Sequence, residues 1–227
     1  MKKIKRLVLA VVAIGLMSAF AKNLETIKLG IDWNGDSKEN GFVNIIKKDK
    51  KILKDGNEMQ NFDLHFYDNS KKLETHTIKI DGYATDSFWD AESPFEIDST
   101  NKKKSFVLLH NGFPACGYGQ NYFLFVKNKD NKVQLLDQWD TFFDAPYGNY
   151  QLFKPIDADS FARVLVSING LDNEPINDEE EKTNVTKSDS VVFYRQNDRW
   201  VKKQITPKDK VYWQKEMTID DAYNTKF

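Results

Sequence analysis

Apolar and aromatic residues in this chain form short runs of about five to eight residues, the usual length of strands rather than of helices. Clusters of Asn, Asp, Gly and Lys separate the runs, as turns separate antiparallel strands. We therefore predict a mostly β fold of antiparallel meanders, arranged as a small propeller-like fold or as a β-sandwich. The predicted strands are Thr26 to Ile31, Gly41 to Ile46, Phe62 to Tyr67, Thr75 to Ile80, Ser105 to His110, Tyr122 to Val126, Val133 to Trp139, Ala162 to Ile168, Val191 to Tyr194 and Trp200 to Ile205.

The N-terminus has the three parts of a bacterial secretory signal peptide. A basic cluster opens the chain, the apolar run Leu7 to Met17 follows, and Ala19 and Ala21 end the segment in an A-x-A pattern. The apolar run is shorter than the roughly 20 residues that a membrane-spanning helix needs. We predict a cleavable signal peptide over residues 1–21 and a single β-rich exported domain over residues 22–227. The domain would have no membrane anchor after cleavage and would be periplasmic or secreted.

Charge and cysteine content limit the partners and the means of stabilisation. Cleavage after Ala21 would remove four of the 33 Lys and Arg residues, leaving 29 against 34 Asp and Glu, a formal charge of −5. A chain with this balance lacks the basic surface that nucleic acids require. Cys116 is the single cysteine, so no disulfide can form within the chain, and we expect a small buried apolar residue there.

The segment 32–41 carries oxygen-bearing side chains at spacings that suit a calcium loop. Asp32, Asn34, Asp36 and Asn40 occupy its first, third, fifth and ninth places. Ca²⁺ binds six to eight oxygens at about 2.3–2.6 Å, and such side chains on a tight loop can converge on one hard cation. We predict these four residues as ligands of a calcium ion that rigidifies the loop and stabilises the folded state.

The Asp-x-Asn-Gly-Asp run that begins at Asp32 resembles the calcium hairpins of the FG-GAP and VCBS-type repeats of integrin-like β-propellers. The resemblance implies that the four predicted ligands lie between two strands of a blade. Ser37 stands where that pattern usually has glycine, and Asn40 where it usually has aspartate. A second interpretation is a plain hairpin, because Asn34-Gly35 between apolar strands is also typical of a type I′ turn.

An aromatic-rich segment from Trp139 to Tyr150 follows one of the predicted strands. Aromatics interleaved with Asp, Asn and Gly can form a loop that stacks on a sugar ring or docks a protein, because Trp and Tyr give large contact area with few rotors. We predict Trp139, Tyr147 and Tyr150 as binding residues. The alternative is that these rings belong to the core or anchor the loop.

Three classes of function follow from these features. The first is an exported, non-enzymatic binding protein with calcium as a structural ion and an envelope or extracellular protein as partner. The second is a carbohydrate or cell-wall binding module, and the third is an extracytoplasmic hydrolase that uses paired carboxylates. His110 and Cys116 offer only a weak thiol site, and no familiar catalytic motif is present. The candidate carboxylates are Asp86, Asp90, Glu92, Asp137, Asp140 and Asp144.

Overall fold

The chain folds into stacked antiparallel β-sheets, which confirms the predicted fold class. The structure is a computed structural model that describes residues 25–52, 54, 58–84, 86–93, 95, 97, 106–114, 118–171 and 182–224. The predicted signal peptide and Cys116 lie outside the described residues.

The described part of the chain contains thirteen strands and one short helix. The elements are β1 (Thr26–Ile31), β2 (Gly41–Ile52), β3 (Glu58–Asp68), β4 (Lys71–Asp81), β5 (Phe88–Glu92), β6 (Phe106–Pro114), β7 (Tyr118–Lys127), β8 (Val133–Asp144), β9 (Tyr147–Asp157), β10 (Ser160–Gly170), β11 (Lys182–Gln196), β12 (Arg199–Gln204), β13 (Trp213–Thr218) and α1 (Ile219–Asn224). No helix in these ranges is long and apolar enough to cross a membrane.

The strands form two meander sheets. The first contains β1, β2, β3 and β4 in chain order. The second runs in reverse chain order from β12 to β5, and the long strand β11 pairs with β12 along one half and with β13 along the other. Every pairing is antiparallel, so short turns are sufficient to connect neighbouring strands.

The second sheet folds back on itself between β8 and β9. These strands pair only beside their connecting turn, where Phe143 faces Gly148 and Asp144 faces Tyr147. Beyond the turn they separate, and residues of β6 to β8 pack face to face with residues of β10 to β12. The first sheet packs on the other face of β5 to β8. The result is three stacked layers, with β5 to β8 in the middle.

The middle layer explains why two apolar runs do not alternate with polar residues. In β6, Val107 and Leu109 face the first sheet, whereas Phe106 and Leu108 face the third layer. Both faces of this strand are therefore buried, and a strand buried on both faces reads as a continuous apolar run. β7 repeats the arrangement from Phe123 to Val126.

One segment predicted as a loop is mostly strand. The aromatic segment from Trp139 to Tyr150 forms the end of β8, a tight turn and the start of β9. Its aromatic residues are interleaved with Asp, Asn and Gly, which are rare in strands, but pairing with neighbouring strands overrides that local preference. The C-terminal segment contains both a strand, β13, and a helix, α1.

Candidate calcium loop and binding cleft

The loop of residues 32–40 joins β1 to β2 and is organised around the carboxylate of Asp32. This side chain is 3% exposed. Its Oδ1 accepts hydrogen bonds from the backbone N–H groups of Asn34 at 3.0 Å and Gly35 at 2.8 Å, and its Oδ2 accepts one from Ser37 at 2.7 Å. Because three backbone donors converge on one carboxylate, Asp32 fixes the course of the loop.

The pKa of Asp32 lies below its usual range. Burial alone would raise this pKa, because it disfavours the charged form. The backbone N–H groups of Asn34, Ser37, Gly35 and Asp36 stabilise the carboxylate and together outweigh the effect of burial. Asp32 is therefore anionic at neutral pH, the form in which a carboxylate binds calcium.

The structure brings two of the four predicted calcium ligands into direct contact. Asn40 donates from Nδ2 to Asp32 Oδ1 at 3.3 Å, and its Oδ1 accepts the backbone N–H of Trp33 at 2.9 Å. Asn34 and Asp36 are exposed at the rim of the loop, where Asp36 accepts a hydrogen bond from the backbone of Lys38. Within the described residues, no group of three or more His, Cys, Asp or Glu is arranged to hold a metal ion.

The loop is not the two-residue type I′ turn of the second interpretation. A type I′ turn requires positive φ at both central residues. Gly35 has φ 68°, whereas Asn34 is not among the positive-φ residues. Ser37 has φ 64°, the left-handed conformation that glycine adopts most easily. The loop thus needs a left-handed residue at position 37, and serine meets that requirement here.

Two contacts connect the loop to the rest of the fold. Trp33 is buried, and its Nε1 donates to the carbonyl oxygen of Tyr67 on β3 at 2.8 Å. The backbone N–H of Asp32 donates to Ser93 Oγ, just after β5, at 2.9 Å. The loop therefore contacts both sheets, and any change in its conformation would affect the packing between them.

A cleft of about 450 Å³ opens where the first sheet stops covering the middle layer. Phe123 on β7 is still packed under the first sheet, and the same face of β7 and β8 continues past it into the open. The end of β4 forms the opposite wall. The residues that line the cleft are Lys79, Asp81, Gly119, Gln120, Asn121, Phe123, Gln138, Trp139, Asp140, Thr141 and Phe142.

Side chains on one face of β7 and β8 supply most of the chemistry of the cleft. Asn121 pairs across the strands with Asp140, and the amide of Gln138 lies opposite Phe123. Further along β8, Phe142 is 47% exposed. In the described part of the chain, no hydrogen bond occupies the side-chain amides of Asn121 and Gln138. They are therefore available to a ligand, with an apolar ring beside them.

The charges around the cleft balance. Lys79 and Asp81 lie on its β4 wall, and Asp140 lies on its floor. Lys208, from the segment after β12, contacts Asp140 Oδ1 at 3.3 Å. Two cations thus face two carboxylates, and the site has no excess of either charge.

The structure separates the three predicted binding aromatics. Trp139 borders the cleft, but its ring stacks on Tyr122 at 5.4 Å and lies over the guanidinium of Arg163. Tyr147 packs against the small cluster on the outer face of the third layer, and Tyr150, 37% exposed, lies on that outer face as well. Trp139 therefore belongs to a different surface from the two tyrosines.

The hydrolase candidates do not form a common site around Asp137. Asp137 is buried and accepts a hydrogen bond from Arg163, and it also forms an ion pair with Lys202. Both carboxylate oxygens of Asp137 are therefore held by cations of the fold and do not face the cleft. The other candidates are exposed: Asp86, Asp90, Glu92, Asp140 and Asp144.

The weak thiol site is not testable within the described residues, because Cys116 lies outside them. His110 is paired instead with Asp90, Nε2 to Oδ2 at 3.5 Å, and its ring stacks on Tyr122.

Comparisons of the chain with known protein families, with curated proteins and with solved structures give no match. The function therefore has to be argued from the site itself.

Sequence reasoning missed the cleft. A signal was present, because Gln120 and Asn121 open a strand that is otherwise apolar and aromatic, and Gln138 interrupts the run of β8. The face of β7 and β8 that carries these polar residues is buried further along the strands. The change from apolar to polar residues on that face therefore indicates where the covering sheet ends. The opposite wall, on β4, is distant in sequence, so no local pattern connects it to β7 and β8.

Proposed function

We propose that the chain is an exported, non-enzymatic binding protein whose ligand is held in the cleft between β4 and β7–β8. The observation that carries this proposal is the pair of unoccupied amides, Asn121 and Gln138, beside the exposed ring of Phe142 in a concave site. Ligand sites in proteins usually combine concavity, apolar contact and a few polar groups that fix orientation. Export rests on the N-terminal segment, and sequencing of the mature protein is expected to give Lys22 as its first residue.

Retention of material from an envelope extract tests this proposal. The mature protein is immobilised, and retained sugars, peptides and small molecules are identified by mass spectrometry. Retention is expected to decrease when Gln138→Ala or Asn121→Ala is used and to persist with Gln196→Ala, an exposed amide in another hairpin. Equal retention by the parent protein and all three variants would reject the cleft as the binding site. Chemical conversion of the retained material would reject a non-enzymatic role.

Calcium is proposed as a structural ion of the Asp32 loop. Asp32 is anionic and buried, and its Oδ2 accepts only one of the backbone hydrogen bonds described above, so it retains capacity for a cation. Asp36 and Asn34 lie on the same loop and could supply further oxygens after a small rearrangement. No catalytic role is assigned to this ion, since the cleft is a different site.

A protein partner is a second candidate, supported by the outer face of the third layer. Tyr150 and Tyr223 are both exposed there, and Tyr223 donates from its hydroxyl to the carbonyl oxygen of Pro146. Rigid tyrosines of this kind are frequent in protein interfaces. Crosslinking in the native envelope through a photoreactive residue at position 150 tests for this protein partner. An equal yield of crosslinked protein from position 196 would reject a specific contact.

A further inference from the structure

We infer that the ligand of the cleft is an uncharged oligosaccharide, an inference that rests on the proposed function of the cleft as a binding site. Sugars present closely spaced hydroxyl groups on one edge of the ring and C–H groups on its faces. A site that recognises them needs groups that both donate and accept hydrogen bonds, together with an exposed apolar ring. The cleft provides both within a few residues of β7 and β8.

The amides meet the first requirement. Each of Asn121 and Gln138 offers an NH₂ donor and a carbonyl acceptor, so each can bind two neighbouring hydroxyl groups at once. Asn121 lies directly across from Asp140, a pure acceptor when ionised. Cross-strand partners in antiparallel sheets have Cβ atoms about 4.5–5.5 Å apart, so these groups can contact one sugar unit together.

Phe142 meets the second requirement. It follows Gln138 and Asp140 at alternate positions of β8 and therefore projects from the same face. Its cross-strand partner is Gly119, which has no side chain to cover the ring. The aromatic surface thus remains open at the end of the row of polar groups, where the C–H face of a second sugar unit can pack on it.

The balanced charges around the cleft favour an uncharged sugar over an anionic one. Lys79 and Lys208 are offset by Asp81 and Asp140, so the cleft offers no surplus positive charge to a phosphate or a uronic acid. Selective binding of an anionic polymer would need such a surplus, because its charges would otherwise lose solvation without compensation. An uncharged glycan carries no such cost.

Titration calorimetry with defined soluble probes tests the inference. The probes are hexasaccharides of glucose, xylose, mannose and N-acetylglucosamine, with hexagalacturonic acid as the charged comparison. At least one neutral hexasaccharide is expected to bind with a Kd below about 1 mM. Gln138→Ala and Phe142→Ala are each expected to weaken this binding by at least about tenfold, corresponding to about 1.4 kcal/mol, whereas Gln196→Ala, an exposed residue in another hairpin, leaves it unchanged.

Three outcomes would overturn the inference: no binding by any neutral probe, stronger binding of hexagalacturonic acid, or neutral binding that is insensitive to both cleft variants. Unfolding curves of the variants establish that they are folded before binding is compared. If the envelope extract yields a protein or an acidic polymer whose retention depends on Gln138, only the glycan class fails and the cleft remains the site. If no retention depends on Gln138, the proposed function itself fails.

Discussion

Nε of Arg163 donates a hydrogen bond of 2.6 Å to Oδ2 of Asp137, and both side chains are almost completely buried, at 2% and 4% exposure. The same guanidinium donates from Nη1 to Asp189 Oδ2 at 2.9 Å and to Gln151 Oε1 at 2.8 Å. Lys202 contacts the other oxygen of Asp137. This ionic cluster connects β8, β9, β10, β11 and β12 inside the fold-back of the second sheet.

Arg163→Met is expected to lower the free energy of unfolding by about 3–5 kcal/mol, because it leaves two buried carboxylates without their main counter-charge. Urea denaturation measures the loss. Lys50→Met is the control, since it breaks the Lys50–Glu58 pair of 2.6 Å between exposed side chains, worth about 0–1 kcal/mol. Similar losses in both variants would contradict a special role for the buried cluster.

The sequence predicts the β class and much of the strand order but not this cluster. β1 has the predicted bounds, and it ends where the polar loop of residues 32–40 begins. Arg163 and its partners lie far apart in sequence, and two β-bulges bring the aspartates to the guanidinium. Leu136 is the extra residue of one bulge, and Asp189, with φ 46°, lies in the other. Bulges depend on pairing between strands, so a local pattern does not reveal them.

Gly41→Ala is expected to destabilise the protein by about 1–3 kcal/mol. A Cβ atom at this position would overlap the Tyr67 carbonyl oxygen and the Trp33 indole, which are hydrogen-bonded to each other. Neither group can move without breaking a buried contact. Thermal unfolding checks the prediction against Gly30→Ala, where the three atoms nearest to the added Cβ belong to the flexible carboxylate of exposed Glu39. Equal melting temperatures for the two variants would refute it.

Asp32→Asn is expected to lower the free energy of unfolding at pH 7 and to make that free energy less dependent on pH in the acid range. The variant turns one acceptor oxygen into an NH₂ group that faces a backbone donor, at a cost of about 1–3 kcal/mol. The folded-state pKa of Asp32 lies below the ordinary value near 3.8. Its contribution is therefore fully present above pH 3.8 and is lost as pH falls through the folded-state pKa.

Urea denaturation between pH 7 and pH 2.5, in the presence of a chelator, measures this effect. The parent protein is expected to lose more stability below about pH 4 than Asp32→Asn does. Asp63 also has a lowered pKa, caused first by the hydrogen bond from Thr77, so the variant keeps part of the acid dependence. Parallel curves for parent and variant would show that Asp32 does not contribute to it.

Calcium is expected to raise the melting temperature of the parent protein, because an ion that binds only the folded loop stabilises it by mass action. At a free concentration 100 times Kd the gain is about 2.7 kcal/mol. The Asp32→Ala, Asp36→Ala double variant should lose this response, since calcium binding depends strongly on ligand charge. Asp130→Ala, an exposed aspartate in the β7–β8 turn, is the control and should respond like the parent.

The parent protein shows whether the loop is stabilised by an ion, and the variants show which residues hold that ion. In the structure, backbone N–H groups already satisfy much of the Asp32 carboxylate, so the loop holds its shape through hydrogen bonds of its own. If the melting temperature is the same in calcium and in chelator, those hydrogen bonds are sufficient and the calcium proposal is rejected. If it rises for the parent and the Asp130→Ala control but not for the double variant, the added stability comes from an ion held by Asp32 and Asp36.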